Sequence, residues 1–145
     1  MSGNIVCVRT LTFDSGHRLK DHTGPCGVVH GHTYKVFLHA SGIESSLDSV
    51  GRVIDFSVLK EKFWSWIQKN WDHGCLIFCD DHEAINALTS ILKQKVFLMP
   101  YNPTAENIAR YLLDSVGPTE LQGTGVELVE VTVWETPNCY ATVTK

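Results

Sequence analysis

A chain of 145 residues with 43% hydrophobic and 19% charged residues has the balance of an ordinary globular domain, large enough to bury a core without disulfide staples. Twelve Lys and Arg against sixteen Asp and Glu leave a net charge of −4 and an isoelectric point near 5.9, which argues against direct binding of nucleic acid. No apolar run approaches membrane-spanning length and the N-terminus from Met1 lacks a charged n-region and cleavage site, so a soluble, cytoplasmic protein with no membrane partner is expected.

The chain reads as one unit, 1–145, with no repeat or linker. Ile5 to Phe13 alternates as a first strand that Ser15-Gly16-His17 interrupts, and Lys20 to Gly27 is a loop by its Gly and Pro content. A second strand spans His30 to Ala40, with His30, His32, Tyr34, Val36 and Leu38 on one face. Phe56, Leu59, Phe63, Trp66 and Ile67 recur at helical spacing behind an N-capping Asp55, and this helix is expected to end near Trp71. A second helical pattern takes in Ile85, Leu88, Ile91 and Leu92, started by the acid-rich Asp80-Asp81-His82-Glu83. Lys95 to Met99 is a short strand. Thr104 caps a third helix through Ala105, Ile108, Leu112 and Val116, which Gly117-Pro118 is expected to stop. Val126 to Glu135 alternates strongly, and a turn at Pro137-Asn138 leads into a last strand, Tyr140 to Thr144. Segregated strand pairs and helices imply an α+β fold, an antiparallel sheet with helices on one face, whose exposed edges need covering.

The pair His30-Gly31-His32 is the strongest chemical signal. Two histidines two residues apart on a strand share a face, and a third would complete the three-nitrogen ligand set of a catalytic zinc. His17 is the candidate third ligand, although His22 competes with it; His39 lies on the opposite strand face. Cys26, between Pro25 and Gly27, is either a fourth ligand closing a structural site or a reactive thiol beside an open one. Five cysteines at irregular spacing are no disulfide framework; Cys7 reads as a small buried hydrophobe, and Cys75 and Cys79 as structural. Asp72-His73 after a helix is an oriented acid–base pair or a solvated helix end. Glu135, on the strand face of Val129, Val131 and Val133, is a solvated charge or a buried anchor for an amidine-like ligand edge.

Several stretches coincide with one family. Phe13-Asp14-Ser15-Gly16-His17-Arg18-Leu19, Cys26-Gly27-Val28-Val29-His30-Gly31-His32-Thr33-Tyr34, Gly51-Arg52-Val53-Ile54-Asp55-Phe56, Asp72-His73, Asn102-Pro103-Thr104-Ala105-Glu106-Asn107 and Val133-Trp134-Glu135-Thr136 follow one another in the family's order. By them the chain resembles the 6-pyruvoyl-tetrahydropterin synthase family. The resemblance implies a tunnelling fold: a four-stranded antiparallel sheet with two helices on one face, the subunits joining their sheets into a barrel, commonly as a hexamer of two trimers with active sites between subunits. It implies His17, His30 and His32 as zinc ligands, Cys26 as a catalytic thiol off the metal, and Asp72 and His73 as its proton-transfer partners from a neighbouring subunit. It further implies Glu135 as the anchor of the pterin ring, with Thr104 and Glu106 lining its pocket. The four-residue step from Cys26 to His30 resembles the carboxy-forming branch. The implied activity is that of a lyase turning 7,8-dihydroneopterin triphosphate into 6-carboxytetrahydropterin, acetaldehyde and triphosphate, in queuosine biosynthesis. A pyruvoyl-forming enzyme and a non-catalytic zinc-stabilised binding module are the alternatives. Arg18, Lys20 and Lys35 are candidates for the triphosphate. Two departures stand out: Trp71 where leucine is common, and a long middle stretch from Gly74 to Met99.

Overall fold

The computed structural model describes residues 4–145; residues 1–3, part of the N-terminal stretch read above, lie outside the described residues. Strands β1 (Val6–His17) and β2 (His30–Gly42) form a long antiparallel pair, and their connection holds a short 3-10 turn at Pro25–Gly27. Helix α1 (Phe56–Asn70) follows, capped by Asp55, whose carboxylate accepts the Ser57 amide at 2.8 Å. Next come β3 (Gly74–Phe78), α2 (His82–Asn86) running on through a wide π turn at Ala87–Ile91, and β4 (Val96–Met99). Helix α3 (Ala105–Tyr111) widens through Leu112–Val116 into α4 (Gly117–Glu120), and β5 (Val126–Thr136) and β6 (Cys139–Thr144) close the chain.

The sheet has six strands in the order β4-β3-β1-β2-β5-β6. The expected four antiparallel strands are β1, β2, β5 and β6; the long middle stretch adds β3 and β4, which run parallel to β1. Alternation assigns the faces. Leu11, Phe13, Tyr34, Val36, Leu38, Val131 and Val133 point to one face and are buried with Leu59, Phe63 and Ile67 of α1 and Ile108, Leu112 and Leu113 of the third helical segment. Cys75 and Ile77 of β3 point the other way and pack with Ala84 and Leu88 in a second cluster. The β3–α2–β4 crossover thus lays its helix on the face opposite α1 and α3, at the margin of the sheet.

Four departures from the sequence reading have physical reasons. β1 continues through Ser15-Gly16 because Gly16 pairs with Gly31 on one side and Cys75 on the other, and the Ser15 hydroxyl bonds the Gly74 carbonyl at 3.0 Å. β3 was not expected: its run Cys75-Leu76-Ile77 is buried on both faces and shows no alternation. Gly117-Pro118 does not stop the third helix. The turn widens so that the Gly117 amide reaches the carbonyl of Leu112, the helix passes the missing Pro118 amide, and Leu121 resumes on Gly117 at 2.9 Å. Val129 is not in line with Val131 and Val133, because the β2–β5 register shifts between His39 and Ala40 and Leu128 takes the inward place.

Trp71 gains its meaning from the added strands. It is fully buried in a cage of Trp66, Phe97 and Tyr111, with ring centroids 4.9–6.0 Å away, and Phe97 belongs to β4. β3 pairs with β1 only over Ser15–His17, so the outer edge of β1 from Val6 to Thr12 has no strand beside it among the described residues, and β4 and β6 are the two edge strands of the sheet.

Besides the strand pairing, Arg18 at the end of β1 ties the added unit through Asp81 and, at 3.5 Å, Glu83. Arg18 Nε and Nη2 donate to the two oxygens of Asp81 at 2.6 Å each, while Asp81, 2% exposed, also accepts the Ala84 amide as the N-cap of α2. The Arg18 contact holds the Asp81 carboxyl below the usual carboxylate range. A depressed carboxylate pKa contributes stability above the unfolded value, about 3.9, and loses it as pH falls through the folded value. Asp81→Asn should therefore cost about 3 kcal/mol at pH 7, since one partner of a buried pair is removed. The gap between mutant and wild type should narrow below about pH 4, as read from urea-unfolding midpoints along a pH series.

Candidate active site

The β1–β2 register sets His17 opposite His30 and Ser15 opposite His32. Paired residues share a face, so three imidazoles meet at the end of the helix-covered side, with one ring nitrogen from each within 4.8 Å of the others. The outer nitrogens are engaged: His17 Nδ1 donates to the Pro103 carbonyl at 2.8 Å and His30 Nδ1 to that of Val28 at 2.6 Å. In these tautomers the two Nε2 atoms face each other as lone pairs 3.1 Å apart, an arrangement that a cation between them relieves. His32 Nε2 is buried without a hydrogen-bond partner; its nearest acid, Glu135 Oε1, lies 3.5 Å away. Burial pushes the basicity of His17 and His32 below the ordinary imidazole value, against the opposing pull of the Pro103 carbonyl on His17 and of Glu135 on both. Imidazoles with converging inward nitrogens, two of them oriented through Nδ1 by backbone carbonyls, make a donor set for a metal ion, and these three residues could hold one. Tyr34 floors the cluster, its ring centroid 5.6 Å from His32 and 5.9 Å from His17, with its hydroxyl buried and unpartnered and its pKa pushed upward by that burial.

Glu135 follows the alternation of Val131 and Val133 onto the inward face, where its carboxylate lies beside His32. Trp134 pairs with Tyr140 and Thr136 with Cys139, so Glu135 is the unpaired residue of a bulge against β6. The stretch from Asn102 to Asn107 orients the other side. The Asn102 side chain accepts the Lys20 amide at 2.9 Å and donates to the Lys20 carbonyl at 3.2 Å, and Asn107 Nδ2 bonds the Asn102 carbonyl at 2.9 Å. Asn102, Pro103 and Asn107 therefore hold His17, a role that residue spacing does not reveal because it runs through backbone carbonyls. Thr104 caps α3 by accepting the Asn107 amide at 3.1 Å, and Glu106 is exposed on the first turn, without a hydrogen bond or ion pair to a described residue.

Cys26 stands outside the histidine cluster, in the turn hung from β1 by the Leu19 amide, which donates to the Cys26 carbonyl at 2.8 Å. Its thiol has no hydrogen-bond partner among the described residues, and all five cysteines are free. Asp72 and His73 sit elsewhere. Asp72 Oδ1 accepts the Asp14 amide at 3.0 Å, Oδ2 accepts His73 Nδ1 at 2.8 Å, and the His73 ring is 77% exposed. The ring borders a hollow of about 430 Å³ whose lining includes Gly16, Gly31 and His32. Gly16 and Gly31 alternate to the face opposite His17 and His30, so within one chain the His73 ring and these two imidazoles lie on opposite faces of the β1–β2 ribbon. Of the basic candidates for the triphosphate, Arg18 is engaged by Asp81, Lys20 lies 3.9 Å from Asp21, and Lys35 rests over Phe37 on the open face. His22 and His39 are outside the cluster; His39 faces Glu130 at 3.2 Å instead.

Comparison with known proteins agrees with this arrangement. The family profile described as 6-pyruvoyl tetrahydropterin synthase matches residues 6–145. The 6-carboxy-5,6,7,8-tetrahydropterin synthase of Rickettsia felis is 36% identical over 139 residues, covering 96% of this chain and 99% of that one; the protein of the same name from Haemophilus influenzae is 32% identical, covering 91% and 93%. In fold, the chain superposes on an uncharacterized protein of Wolinella succinogenes with a TM-score of 0.79 (24% identity, 98% of each chain). It superposes on the Caenorhabditis elegans 6-pyruvoyl tetrahydropterin synthase with a TM-score of 0.71 (22% identity, 99% of this chain and 96% of that one). The expected tunnelling fold is the fold observed, with two strands more than the minimal sheet. With this match across nearly the whole chain, on top of the converging histidines, the protein belongs to the 6-pyruvoyl tetrahydropterin synthase family and is an enzyme of the lyase class.

Proposed function

We propose that the protein is a zinc-dependent 6-carboxytetrahydropterin synthase that converts 7,8-dihydroneopterin triphosphate, with water, to 6-carboxytetrahydropterin, acetaldehyde and triphosphate, a step toward queuosine in the cytoplasm. The observation that carries the reading is His32 Nε2, which is orphaned beside two other imidazole nitrogens and 3.5 Å from the Glu135 carboxylate. A metal-donor set and an acceptor for a guanidine-like ring edge are thereby neighbours, as a pterin carrying a polyol side chain requires. The names of the relatives support the same substrate class. No helix among the described residues is long and apolar enough to cross a membrane.

His17, His30 and His32 would hold the zinc, which when bound supplies Lewis acidity toward the vicinal hydroxyls of the side chain. Glu135 accepts hydrogen bonds from the amino-pyrimidine edge and holds the side chain toward the histidines, which is catalysis by positioning. The Cys26 thiolate removes and returns protons on the side-chain carbons. His73, its Nδ1–H oriented by Asp72 at 2.8 Å, exchanges the thiol's proton through Nε2. Because the His73 ring and the imidazoles of His17 and His30 lie on opposite faces, a working site combines Cys26 of one subunit with Asp72 and His73 of a neighbour. Edge-to-edge pairing of β6 with the uncovered edge of β1 would close such subunits into a barrel, and a hexamer of two trimers is the assembly we expect. Thr104 and Glu106 would line the pterin pocket's margin, Thr104 from its place as the α3 cap and Glu106 from the exposed first turn.

Incubation with 7,8-dihydroneopterin triphosphate should release acetaldehyde and a product of the mass of 6-carboxytetrahydropterin; a pyruvoyl product with the full carbon side chain would refute the carboxy-forming assignment. Cys26→Ala should lower kcat by roughly 10²–10⁴-fold, the range for loss of an acid–base group, with metal content by atomic absorption unchanged. Release of metal by that variant would make the thiol a ligand. His32→Ala should lose the metal. Glu135→Gln should lower kcat/KM by about 100-fold while leaving the metal in place.

A further inference from the structure

The backbone at His73 is unusual. Its φ is +58°, left-handed, in a residue that carries a β-carbon. Such conformations persist only where the surroundings over-determine them, and here the two peptide planes that flank the His73 α-carbon are each gripped. The preceding plane is held at both ends: Lys95 Nζ donates to the Asp72 carbonyl at 2.8 Å, and the His73 amide donates to the Asp14 carbonyl at 2.7 Å. In the following plane, Gln94 Nε2 donates to the His73 carbonyl at 3.2 Å and the Gly74 amide donates to the Trp71 carbonyl at 3.0 Å. Fixing both planes fixes φ and ψ between them.

Both side-chain donors come from the added unit. Gln94 is itself anchored, its amide bonding the Leu88 carbonyl at 2.8 Å on the turn after α2, and Lys95 also donates to Gln68 O at 2.9 Å in the last turn of α1. A cation suits that place, because the last carbonyls of a helix lack intrahelical partners and carry the negative end of its dipole. The stem of Lys95 packs where Gly74 has no side chain; a β-carbon there would stand 3.4 Å from Lys95 Cγ and 3.2 Å from the Trp71 carbonyl.

We propose that Lys95 and Gln94 are positioning residues for the Asp72–His73 pair: they hold the His73 backbone left-handed so that Nδ1 stays on Asp72 and Nε2 points outward to meet a thiol. This rests on the assignment of Asp72 and His73 to proton transfer made above. The role of the β3–α2–β4 unit is then to brace a catalytic pair rather than only to widen the sheet.

The test uses the full-length, zinc-loaded oligomer, four single variants, Lys95→Met, Lys95→Arg, Gln94→Ala and His73→Ala, and the double variant Lys95→Met with Gln94→Ala. Lys95→Met and Gln94→Ala should each lower kcat, and together by roughly 10–100-fold, the scale of a small misplacement of a reacting group. KM and zinc content should stay within about twofold, and Lys95→Arg, which keeps a cationic donor, should recover most of the rate. Long-range proton–nitrogen spectra of the imidazoles should show His73 as the Nδ1–H tautomer in the wild type and as a mixture in the double variant, a change that a general loss of stability does not produce. Wild-type kcat in the double variant, with His73→Ala inactive, overturns the clamp and leaves the proton-transfer assignment standing. Wild-type kcat in His73→Ala overturns that assignment and the clamp with it. A fall in kcat matched by an equal loss of zinc makes Lys95 a general fold element and also overturns the proposal. Should Lys95→Met not fold, Gln94→Ala, which removes only a surface donor, carries the same comparison.

Discussion

Everything at the site depends on the register of one strand pair. His17 faces His30 and Ser15 faces His32 because β1 and β2 are aligned over their full length, from Val6 opposite Ser41 to His17 opposite His30. A slip of one residue would turn every side chain of one strand to the other face, and the three nitrogens would part. The register is held where the burial is greatest: Phe13 stacks on Tyr34 with centroids 5.1 Å apart, and Leu11, Val36 and Leu38 continue the same buried row. The histidine cluster is therefore an extension of the hydrophobic core, and its precision comes from packing that begins several residues away.

That dependence explains what the sequence could disclose. The long strands, α1 with its Asp55 cap, and the shared face of His30 and His32 are legible because they follow from period two, period 3.6 and capping chemistry, all local. The choice of His17 over His22 needed the family motifs, since nothing in the spacing separates the two. What remained hidden runs through the backbone or through breaks in a period. Pro103 and Val28 orient imidazoles with carbonyls that any residue possesses. The bulge at Glu135 is a mismatch between two strands and belongs to neither alone. β3 is apolar on both faces, so its alternation is invisible, and α4 continues past a proline because the preceding turn widens.

The added β3–α2–β4 unit links these levels. Its strand β4 supplies Phe97 to the cage around Trp71, the residue that ends α1 immediately before Asp72-His73. Its helix cap, Asp81, receives Arg18, the residue after His17. One insertion thus contacts the chain next to His17 of the histidine cluster and next to the proposed proton-transfer pair, on two faces of the sheet. The large ring of Trp71 fills volume that β4 helps to enclose.

A site divided between two faces of a ribbon has a consequence for how such a protein is built. At the histidines the β1–β2 pair continues sideways into β3, and side chains on opposite faces of a sheet cannot meet around a single small substrate. If Cys26 and His73 act on the same proton, the chain must be repeated. The bare edge of β1 and the bare strand β6 are the places where repetition costs least, because unpaired amides and carbonyls on each already present the pattern that another strand completes. The same constraint discourages that edge from being covered within the chain: β3 stops its pairing at Ser15, short of the segment from Val6 to Thr12, although the strand it joins is more than twice its length. The unfinished edge of β1 is, on this argument, as much a part of the proposed catalytic apparatus as the histidines at its end.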